Sequence, residues 1–277
     1  MLDQVIYGPI IENAIREDLA GGDITTESTV ELGAKCIAFA VARSPMVVCG
    51  GSVFASTFKL VDPTLEFASL VLDGRVVCAS TALWRVEGSA RSILAAERVA
   101  LNFVQRMSGI ATLTRAFVDA IPDGCKTRIA DTRKTTPGIR YLERYAVRTG
   151  GGRNHRDCLG SAVLIKDNHI VAAGGIASAL RRARAYAPHT SRIEIEVDSL
   201  SQFDEALAEQ ADVIMLDNFG IEEIKTAVRR AGGKAIIEVS GGVSVEKVRA
   251  LALLGVDVIS VGALTHSAPA ADIGLDM

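Results

Sequence analysis

The chain has few aromatic residues, no long apolar run and no leader-like segment. Of its 277 residues, 5% are aromatic and one is tryptophan. Although 49% of the residues are hydrophobic, no window approaches the roughly 18 uninterrupted apolar residues of a membrane span. The N-terminal stretch carries acids early and no basic segment before an apolar core, unlike a signal peptide. We therefore expect a soluble cytoplasmic protein, with no membrane partner and a substantial core.

Cysteines are also few, and they form no motif. None of the five stands in a CxxC spacing, and an odd number cannot all pair. We interpret them as free residues in a reducing compartment, which argues against a structural zinc site. They are Cys36, Cys49, Cys78, Cys125 and Cys158.

The formal net charge of the chain is −3, but its positive charge is concentrated in one segment. Ten of the 30 Lys and Arg residues fall between Lys126 and Lys166, where the only acids are Asp131, Glu143 and Asp157. The rest of the chain has 20 Lys and Arg against 30 Asp and Glu. Because such clustering costs self-repulsion unless an anion neutralises it, the segment predicts a pocket for phosphates, carboxylates or both.

A solvated helix face or a nucleic-acid site could also produce such a basic segment. Arg140, Glu143, Arg144 and Arg148 partly fit a helix with i,i+4 ion pairs on a solvated face. The stretches TRKTTPG and TGGGRNHR do not, because they set cations beside Gly, Thr and Pro, where backbone N–H groups are free to bind an anion. Nucleic acid is the rival polyanion, but an acidic chain with few aromatics favours a small anionic substrate and no nucleic-acid partner.

The first third of the chain reads as short strands followed by one long helix. Strand-like runs occur between residues 35 and 86, with turns at Pro63 and Asp73–Gly74 and a helix after Gly51. A helical pattern then covers Ser89 to Met107. Its apolar stripe lies opposite Arg98, so we expect this arginine to point away from its own core. The stripe comprises Ile93, Ala96, Ala100, Phe103, Val104 and Met107.

From Thr127 onward, six short apolar runs alternate with helical stretches. The runs are TRIAD, AVLIKD, RIEIEVD, DVIMLD, AIIEVSG and DVISVG, and the helices are expected at 174–186, 200–210, 220–231 and 244–254. Short buried runs separated by helices predict parallel strands joined by crossovers. A complete or incomplete α/β barrel fits six units best, and an open doubly wound sheet stays possible.

Polar residues end all six runs. In a parallel barrel the carboxyl ends of the strands open on one face, so these residues should meet at one mouth. Asp198 and Asp217 taken singly are equally explained as helix N-caps. All six ends together favour an active site. The residues are Asp131, Arg133, Lys134, Lys166, Asp167, Asn168, Glu196, Asp198, Asp217, Asn218, Ser240, Gly241, Gly242 and Gly262.

Their chemistry suggests separate roles. Glycine turns after the last strands suit a phosphate. Glu196 and Asp217, interpreted as the only facing carboxylates, suit sugar hydroxyls or a Mg²⁺ that bridges phosphate oxygens. His155 is the one histidine whose neighbours suggest a function. The expected anion cage consists of Arg133, Lys134, Arg156 and Lys166.

These motifs resemble those of the quinolinate phosphoribosyltransferases, which are type II phosphoribosyltransferases. DTRKTTPGIR, YAVRTGGGRNHR, LIKDNHI, IEIEVDSL, IMLDN, EVSGG and ISVGALTHS, with EDLAGGDITT near the start, follow in collinear order from about residue 10. The resemblance implies an N-terminal α/β sandwich domain over 1–112, with 268–277 packing on it, and an incomplete, seven-stranded α/β (TIM-like) barrel over 113–267. It also implies a homodimer with shared active sites.

The resemblance further implies the substrates quinolinate and 5-phosphoribosyl 1-diphosphate, with Mg²⁺ as cofactor. By motif, Arg98 resembles the arginine that reaches quinolinate in the neighbouring subunit, and Glu196 and Asp217 resemble the ribose- and metal-side acids. The contacts to the dicarboxylate and the diphosphate are expected from Arg133, His155, Arg156 and Lys166, with Thr132 and Lys134 beside them. The 5-phosphate site is expected at Ser240, Gly241, Gly242, Val261, Gly262 and Ala263.

Three alternative functions stay open at the level of sequence. A homologous molybdenum-transport-associated protein shares the fold, but the intact TTPG after Lys134 and the intact LIKDNH favour the phosphoribosyltransferase. A non-catalytic anion- or RNA-binding protein would gain nothing from Glu196 and Asp217. Nicotinate is a further candidate substrate, because the choice between one carboxylate and two depends on cage geometry.

Overall fold

The computed structural model describes residues 2–277 and divides into two compact units. The first unit comprises the chain up to Arg115 together with Thr135–Gly151 and Ala263–Met277. The second unit comprises Ala116–Lys134 and Gly152–Gly262. The chain passes between the units more than once, whereas the domains expected from the sequence are nearly consecutive along the chain. The expected domain boundaries stay a prediction.

The strands are β1 (Lys35–Ala42), β2 (Met46–Val47), β3 (Glu66–Ser69), β4 (Val76–Val77), β5 (Ala82–Ser89), β6 (Arg128–Ala130), β7 (Val163–Ile165), β8 (Ile193–Val197), β9 (Val213–Asp217), β10 (Ile236–Ser240), β11 (Val258–Ser260) and β12 (Ile273–Asp276). The helices are α1 (Gln4–Asp18), α2 (Ile24–Thr29), α3 (Gly51–Val61), α4 (Ala90–Asp119), α5 (Arg140–Thr149), α6 (Asp167–Ala173), α7 (Ile176–Tyr186), α8 (Leu200–Ala208), α9 (Ile221–Ala231), α10 (Val245–Leu253) and α11 (Ala263–His266).

The first unit is built on a four-stranded antiparallel sheet in the order β12, β1, β5, β3. The even-numbered alanines of β1 from residue 38 onward are buried and the residues between them are only partly so, which is the pattern of a sheet with one face on a core. Phe54 and Phe58 of α3 pack in that core with Trp84 of β5, and the Phe54 ring stacks on Trp84 at 4.9 Å between centroids. The α/β sandwich expected for the N-terminal part of the chain is confirmed.

Helix α4 presents one stripe to this core. The predicted stripe residues are buried except Phe103, which is half-buried, and Arg98 is exposed as its position opposite the stripe predicts. The helix continues to Asp119 instead of ending near Met107. It does so because buried positions recur at Ile110, Ala111 and Phe117.

The second unit holds a six-stranded parallel sheet in the order β6, β11, β10, β9, β8, β7. β8 and β9 are buried along nearly their whole length, as a sheet covered on both faces requires. Helices α7, α8, α9 and α10 lie within two residues of the predicted stretches. The expected incomplete α/β barrel architecture is thereby supported.

Two details differ from the expectation. The family resemblance implied seven strands, whereas six are present, and Arg153 forms an isolated parallel bridge with Ala130 beside β6. The short helix α6 directly after β7 was not predicted, because the sequence LIKDNHI was interpreted as a strand and its polar end. Among residues 2–277 no helix combines the length and apolar composition that crossing a bilayer requires. All five cysteines are free.

Candidate active site

One face of the parallel sheet carries carboxylates, and the other is apolar. Because side chains alternate along a strand, Glu194 and Glu196 of β8 share a face. Met215 of β9 pairs in register with Glu196 of β8 on one side and with Glu238 of β10 on the other, so the two glutamates lie on the same face. Ser260 of β11 donates a hydrogen bond to Glu238. The opposite face carries buried apolar residues, namely Ile193, Ile195, Val197, Ile214, Leu216, Ile237, Val239 and Ile259. The expectation that Glu196 and Asp217 are the only facing carboxylates is therefore wrong.

Lys166 and Glu196 form an ion pair at the carboxyl end of β7 and β8. Lys166 Nζ makes a short contact with Glu196 Oε2. The backbone N–H of Lys166 donates to His169 Nδ1 at 3.0 Å, which closes the first turn of α6. The Lys166 side chain is 44% exposed and that of Glu196 18%. The lysine is thus held by a carboxylate but stays accessible to an anion from solvent.

The turns after β9 and β10 are joined by a hydrogen bond. The Asn218 backbone N–H donates to the Ser240 carbonyl at 3.2 Å, and Asn218 Nδ2 donates to Asp217 Oδ2 at 2.9 Å. Gly241 has φ +97°, and a Cβ there would lie 2.2 Å from Asn218 Oδ1, so only glycine fits. A Cβ on Gly242, at φ +55°, would meet nothing within 4 Å. Asp217 and Ser240 therefore sit beside a glycine turn with open space at its tip.

A buried aspartate anchors the segment that follows β6. Asp131 is fully buried, its Oδ1 accepts the His155 backbone N–H at 2.7 Å, and its Oδ2 accepts Asn154 Nδ2 at 2.5 Å. Thr132 Oγ1 accepts the backbone N–H of Lys134 at 3.1 Å. Asp131 is thus a structural anchor, and the Lys134 side chain beyond it is exposed.

His155 lies against two buried carboxylates. Its Nε2 is 3.0 Å from Glu194 Oε2 and 3.5 Å from Glu238 Oε1. Its Nδ1 accepts the backbone N–H of Arg156 at 2.8 Å. Burial alone would lower the pKa of His155, but the hydrogen bond and charge of Glu194, and then the charge of Glu238, raise it. Sequence reasoning missed both glutamates, although the alternation in RIEIEVD and AIIEVSG could have indicated them.

Arg156 and Arg133 are cations held near one another. Arg156 Nη1 donates to the Ala162 carbonyl at 3.1 Å, while its buried Nε has no hydrogen-bond partner among residues 2–277. Burial, and then repulsion by Arg133, lowers the pKa of Arg156. An anion binding here would relieve that repulsion, as the predicted cage requires.

Glu143 anchors the next part of the basic segment. It is fully buried, its Oε1 lies 2.9 Å from Arg106 Nη2, and its Oε2 accepts the Thr136 N–H at 3.0 Å. Thr136 Oγ1 donates to the same carboxylate at 2.8 Å. The interpretation of Glu143 as part of a solvated helix face is wrong, because its partner Arg106 comes from α4, distant in sequence.

The remaining predicted residues are divided between the units. Val261 follows β11, is buried, and donates its N–H to the Ala130 carbonyl at 2.9 Å. Gly262 ends the second unit. Arg98 and Ala263, which begins α11, belong to the first unit.

Glu238 makes the stability of the fold depend on pH. Burial, and then repulsion by Glu194, raises the pKa of Glu238 from the ordinary 4.5 to about 7, against the opposing effects of His155 and Ser260. Between pH 4.5 and about pH 7, the folded state therefore holds a proton on Glu238 that the unfolded chain has lost. Its free energy of unfolding therefore falls as pH rises through that window, and stays lower above it.

We expect the Glu238→Gln variant to escape this loss, because glutamine does not ionise. Its melting temperature relative to wild type should be higher at about pH 8 than at about pH 5, measured by calorimetry. Glu222→Gln, at an exposed helix position, is the matched control and should show the same difference at both pH values. A Glu238→Gln difference that does not change with pH would contradict the assignment.

Comparison with known proteins connects this geometry to a family. The model of the quinolinate phosphoribosyl transferase N-terminal domain matches residues 23–108, and that of the C-terminal domain matches residues 110–276. Together these matches cover nearly the whole chain.

Individual relatives agree with the family models. The chain is 46% identical to the carboxylating nicotinate-nucleotide pyrophosphorylase of Mycobacterium leprae, over 96% of this chain and 95% of that protein. It is 42% identical to a probable enzyme of the same name from Synechocystis, over 99% and 93%. The crystal structure of a nicotinate-nucleotide pyrophosphorylase from Ehrlichia chaffeensis superposes with a TM-score of 0.93 at 44% identity, covering 98% of each chain. The chain belongs to the quinolinate phosphoribosyl transferase family.

Proposed function

We infer that this protein transfers the phosphoribosyl group of 5-phosphoribosyl 1-diphosphate to quinolinate, giving nicotinate mononucleotide, diphosphate and carbon dioxide for NAD biosynthesis. Family membership over nearly the whole chain supports this enzyme class. The observation that carries it is the Lys166–Glu196 ion pair, at the edge of a sheet face that also carries buried carboxylates. A cation for an acidic substrate and an acid for a ribose are thus adjacent.

We assign the anionic groups of the substrates to the basic segment. The closeness of Arg133 to Arg156 supports a site for a dicarboxylate or a diphosphate. Lys166 and Lys134 add exposed cations, and Thr132 lies in the turn between β6 and Lys134. For the 5-phosphate we propose the turns at Ser240, Gly241, Gly242, Val261, Gly262 and Ala263. The glycines leave space for a phosphate to approach the backbone, and the N–H of Val261 is bonded to the Ala130 carbonyl.

Magnesium is the cofactor we propose. Glu196 and Asp217 are oxygen donors at adjacent strand ends, and Mg²⁺ usually binds one or two carboxylates together with water and substrate phosphates. Two carboxylates are few for a metal site, which fits a Mg²⁺ ion that would be held mainly by the diphosphate. When bound, the ion would neutralise the charge of the diphosphate. The cluster of His155, Glu194 and Glu238 includes a nitrogen donor and suits Mg²⁺ less well.

The reaction needs no nucleophile from the protein. The pyridine nitrogen bonds to C1 of the ribose with its lone pair, while the bond from C1 to the diphosphate oxygen breaks and its electrons leave with diphosphate. Glu196 and Asp217 stabilise the positive charge that develops on the ribose. The cationic ring then holds the electron pair left at C2 when the adjacent carboxylate departs as carbon dioxide, and C2 takes up a proton. Orientation by the cations is the chief contribution of the protein.

We further propose a homodimer in which Arg98 of one subunit completes the site of the other. The exposure of Arg98 on α4 supports this. The five free cysteines support a reducing cytoplasm as its location.

A direct assay tests the proposed function. Purified protein is incubated with quinolinate, 5-phosphoribosyl 1-diphosphate and Mg²⁺, and nicotinate mononucleotide and carbon dioxide are quantified. Production of both supports the proposal. A folded protein that binds these compounds without forming the mononucleotide would favour a non-catalytic binding protein instead.

Substrate choice gives a further prediction. We expect turnover on nicotinate to be at least about a hundredfold lower than on quinolinate, because nicotinate offers the anion cage one carboxylate instead of two and so forms fewer charge-assisted contacts. Steady-state kinetics with each acid at saturating 5-phosphoribosyl 1-diphosphate measures the ratio. Turnover on nicotinate within a few-fold of that on quinolinate would contradict the prediction.

A further inference from the structure

The cluster of His155, Glu194, Glu238 and Ser260 lies deeper on the polar face than the Lys166–Glu196 pair. Glu194 is 6% exposed, and Glu238 and Ser260 are 3% exposed. Buried carboxylates are costly unless hydrogen bonds or opposite charges compensate them. Here Ser260 Oγ contacts Glu238 and the His155 ring contacts both carboxylates, while Glu194 Oε1 has no hydrogen-bond partner among residues 2–277. Two carboxylates from two strands therefore converge on a single imidazole, and a hydroxyl from a third strand holds one of them.

The proton position on this imidazole follows from its contacts. The Arg156 N–H donates to His155 Nδ1, and a ring nitrogen that accepts a hydrogen bond carries no proton. In the neutral ring the proton then sits on Nε2, where it points at Glu194 and Glu238. A metal ion would need the Nε2 lone pair instead. Although the three ligand atoms lie within 4.8 Å of one another, the geometry favours a hydrogen-bonded network over a metal centre.

The loop that carries this imidazole is held at several points. Arg153 bridges to β6, and Asp131 holds both Asn154 and the His155 backbone. Arg156 follows directly, and its main-chain N–H is tied to the ring. A flip of the ring would therefore break the hydrogen bond that the backbone N–H of Arg156 donates to Nδ1. The network thus reaches the guanidinium that is proposed to bind the substrate.

We propose that Glu194, Glu238 and Ser260 are positioning residues that fix the tautomer and orientation of His155 and, through it, the place of Arg156. This inference rests on the proposed function only for its kinetic consequence. In the network Glu194 accepts from Nε2, Glu238 flanks the same atom, and Ser260 holds Glu238. None of the three needs to touch substrate.

Kinetics of two variants at one position test the positioning role. Glu194→Leu removes the acceptor, and we expect kcat/KM for quinolinate to fall on the order of a hundredfold, because a displacement of about 1 Å costs that much. The KM for 5-phosphoribosyl 1-diphosphate should change less than about threefold. Glu194→Gln keeps an oxygen acceptor and should recover activity to within about tenfold of wild type. Glu222→Leu, at the exposed control position, should leave all constants unchanged.

A spectroscopic measurement on the substrate-free protein tests the network separately. Long-range ¹H–¹⁵N correlations of the histidine rings are recorded at increasing pH until the His155 ring is neutral, because Glu194 and Glu238 raise its pKa. The His155 signals are assigned by their loss in His155→Gln. We expect the Nε2–H tautomer in wild type and in Glu194→Gln, and a mixture of tautomers in Glu194→Leu.

Each outcome is decisive for the inference. An Nδ1–H tautomer in wild type, or a folded Glu194→Leu variant with near-wild-type kinetics, overturns it. If Glu194→Leu does not fold, the wild-type tautomer and the Glu194→Gln kinetics still decide. If the wild-type protein makes no nicotinate mononucleotide, the proposed function fails, whereas the tautomer result stands or falls by itself.

Discussion

Lys166→Ala is expected to lower kcat/KM by about a hundredfold or more while leaving thermal stability nearly unchanged. A charge-assisted contact to a desolvated anion is worth about 2–3 kcal/mol, and each 1.4 kcal/mol is about tenfold in rate. The ion pair of Lys166 with Glu196 is partly exposed, and such pairs contribute about 0–1 kcal/mol to folding. The kinetic cost should therefore far exceed the cost in stability.

Lys134→Ala is expected to behave in the same way, since its side chain is exposed beyond the Thr132 turn. Lys225→Ala is the matched control, because that lysine lies on the exposed face of α9, 4.0 Å from Glu222. Initial rates and melting temperatures of the three variants make the comparison. Wild-type kinetics for both Lys134→Ala and Lys166→Ala would remove the anion cage and leave two surface lysines.

Mixing two inactive variants is expected to restore activity if Arg98 acts in the neighbouring subunit. An Arg98→Ala subunit retains Lys166, and a Lys166→Ala subunit retains an Arg98 to lend. In a mixed dimer one site is then wholly wild type and the other has lost both groups. For equal, random pairing with independent sites, the mixture should recover up to about a quarter of wild-type activity.

The experiment requires proof that subunits exchange. Native mass spectrometry of one isotopically labelled variant with one unlabelled variant shows whether mixed dimers form. Each variant incubated alone under the same conditions is the control and should stay inactive. Mixed dimers without activity would mean that Arg98 acts within its own chain or has no catalytic role.

Much of the fold and part of the candidate site follow from local pattern. Apolar runs ended by polar residues indicated the parallel sheet, and helical periodicity indicated that Arg98 points outward. These inferences hold because strand and helix repeats depend on neighbouring residues alone. The sequence predicted that Lys166 and Glu196 lie at the same mouth of the barrel, but not that they pair with each other. The pairing depends on how neighbouring strands align, which the strand pattern alone does not specify.

What the sequence determined by itself is therefore the α/β class, the order of strands and helices along the chain, and the residues available at the strand ends. Only the tertiary structure decided that Glu143 binds Arg106 inside the first unit and that Glu194 and Glu238 enclose the His155 ring. Alternation within a strand could indicate which face carries Glu194 and Glu238, but their partner His155 lies far from them along the chain, so the pairing leaves no local repeat. In the sequence these glutamates look like ordinary charged residues. Their contacts become necessary only when folding removes the surrounding water, because a buried carboxylate without a partner is costly.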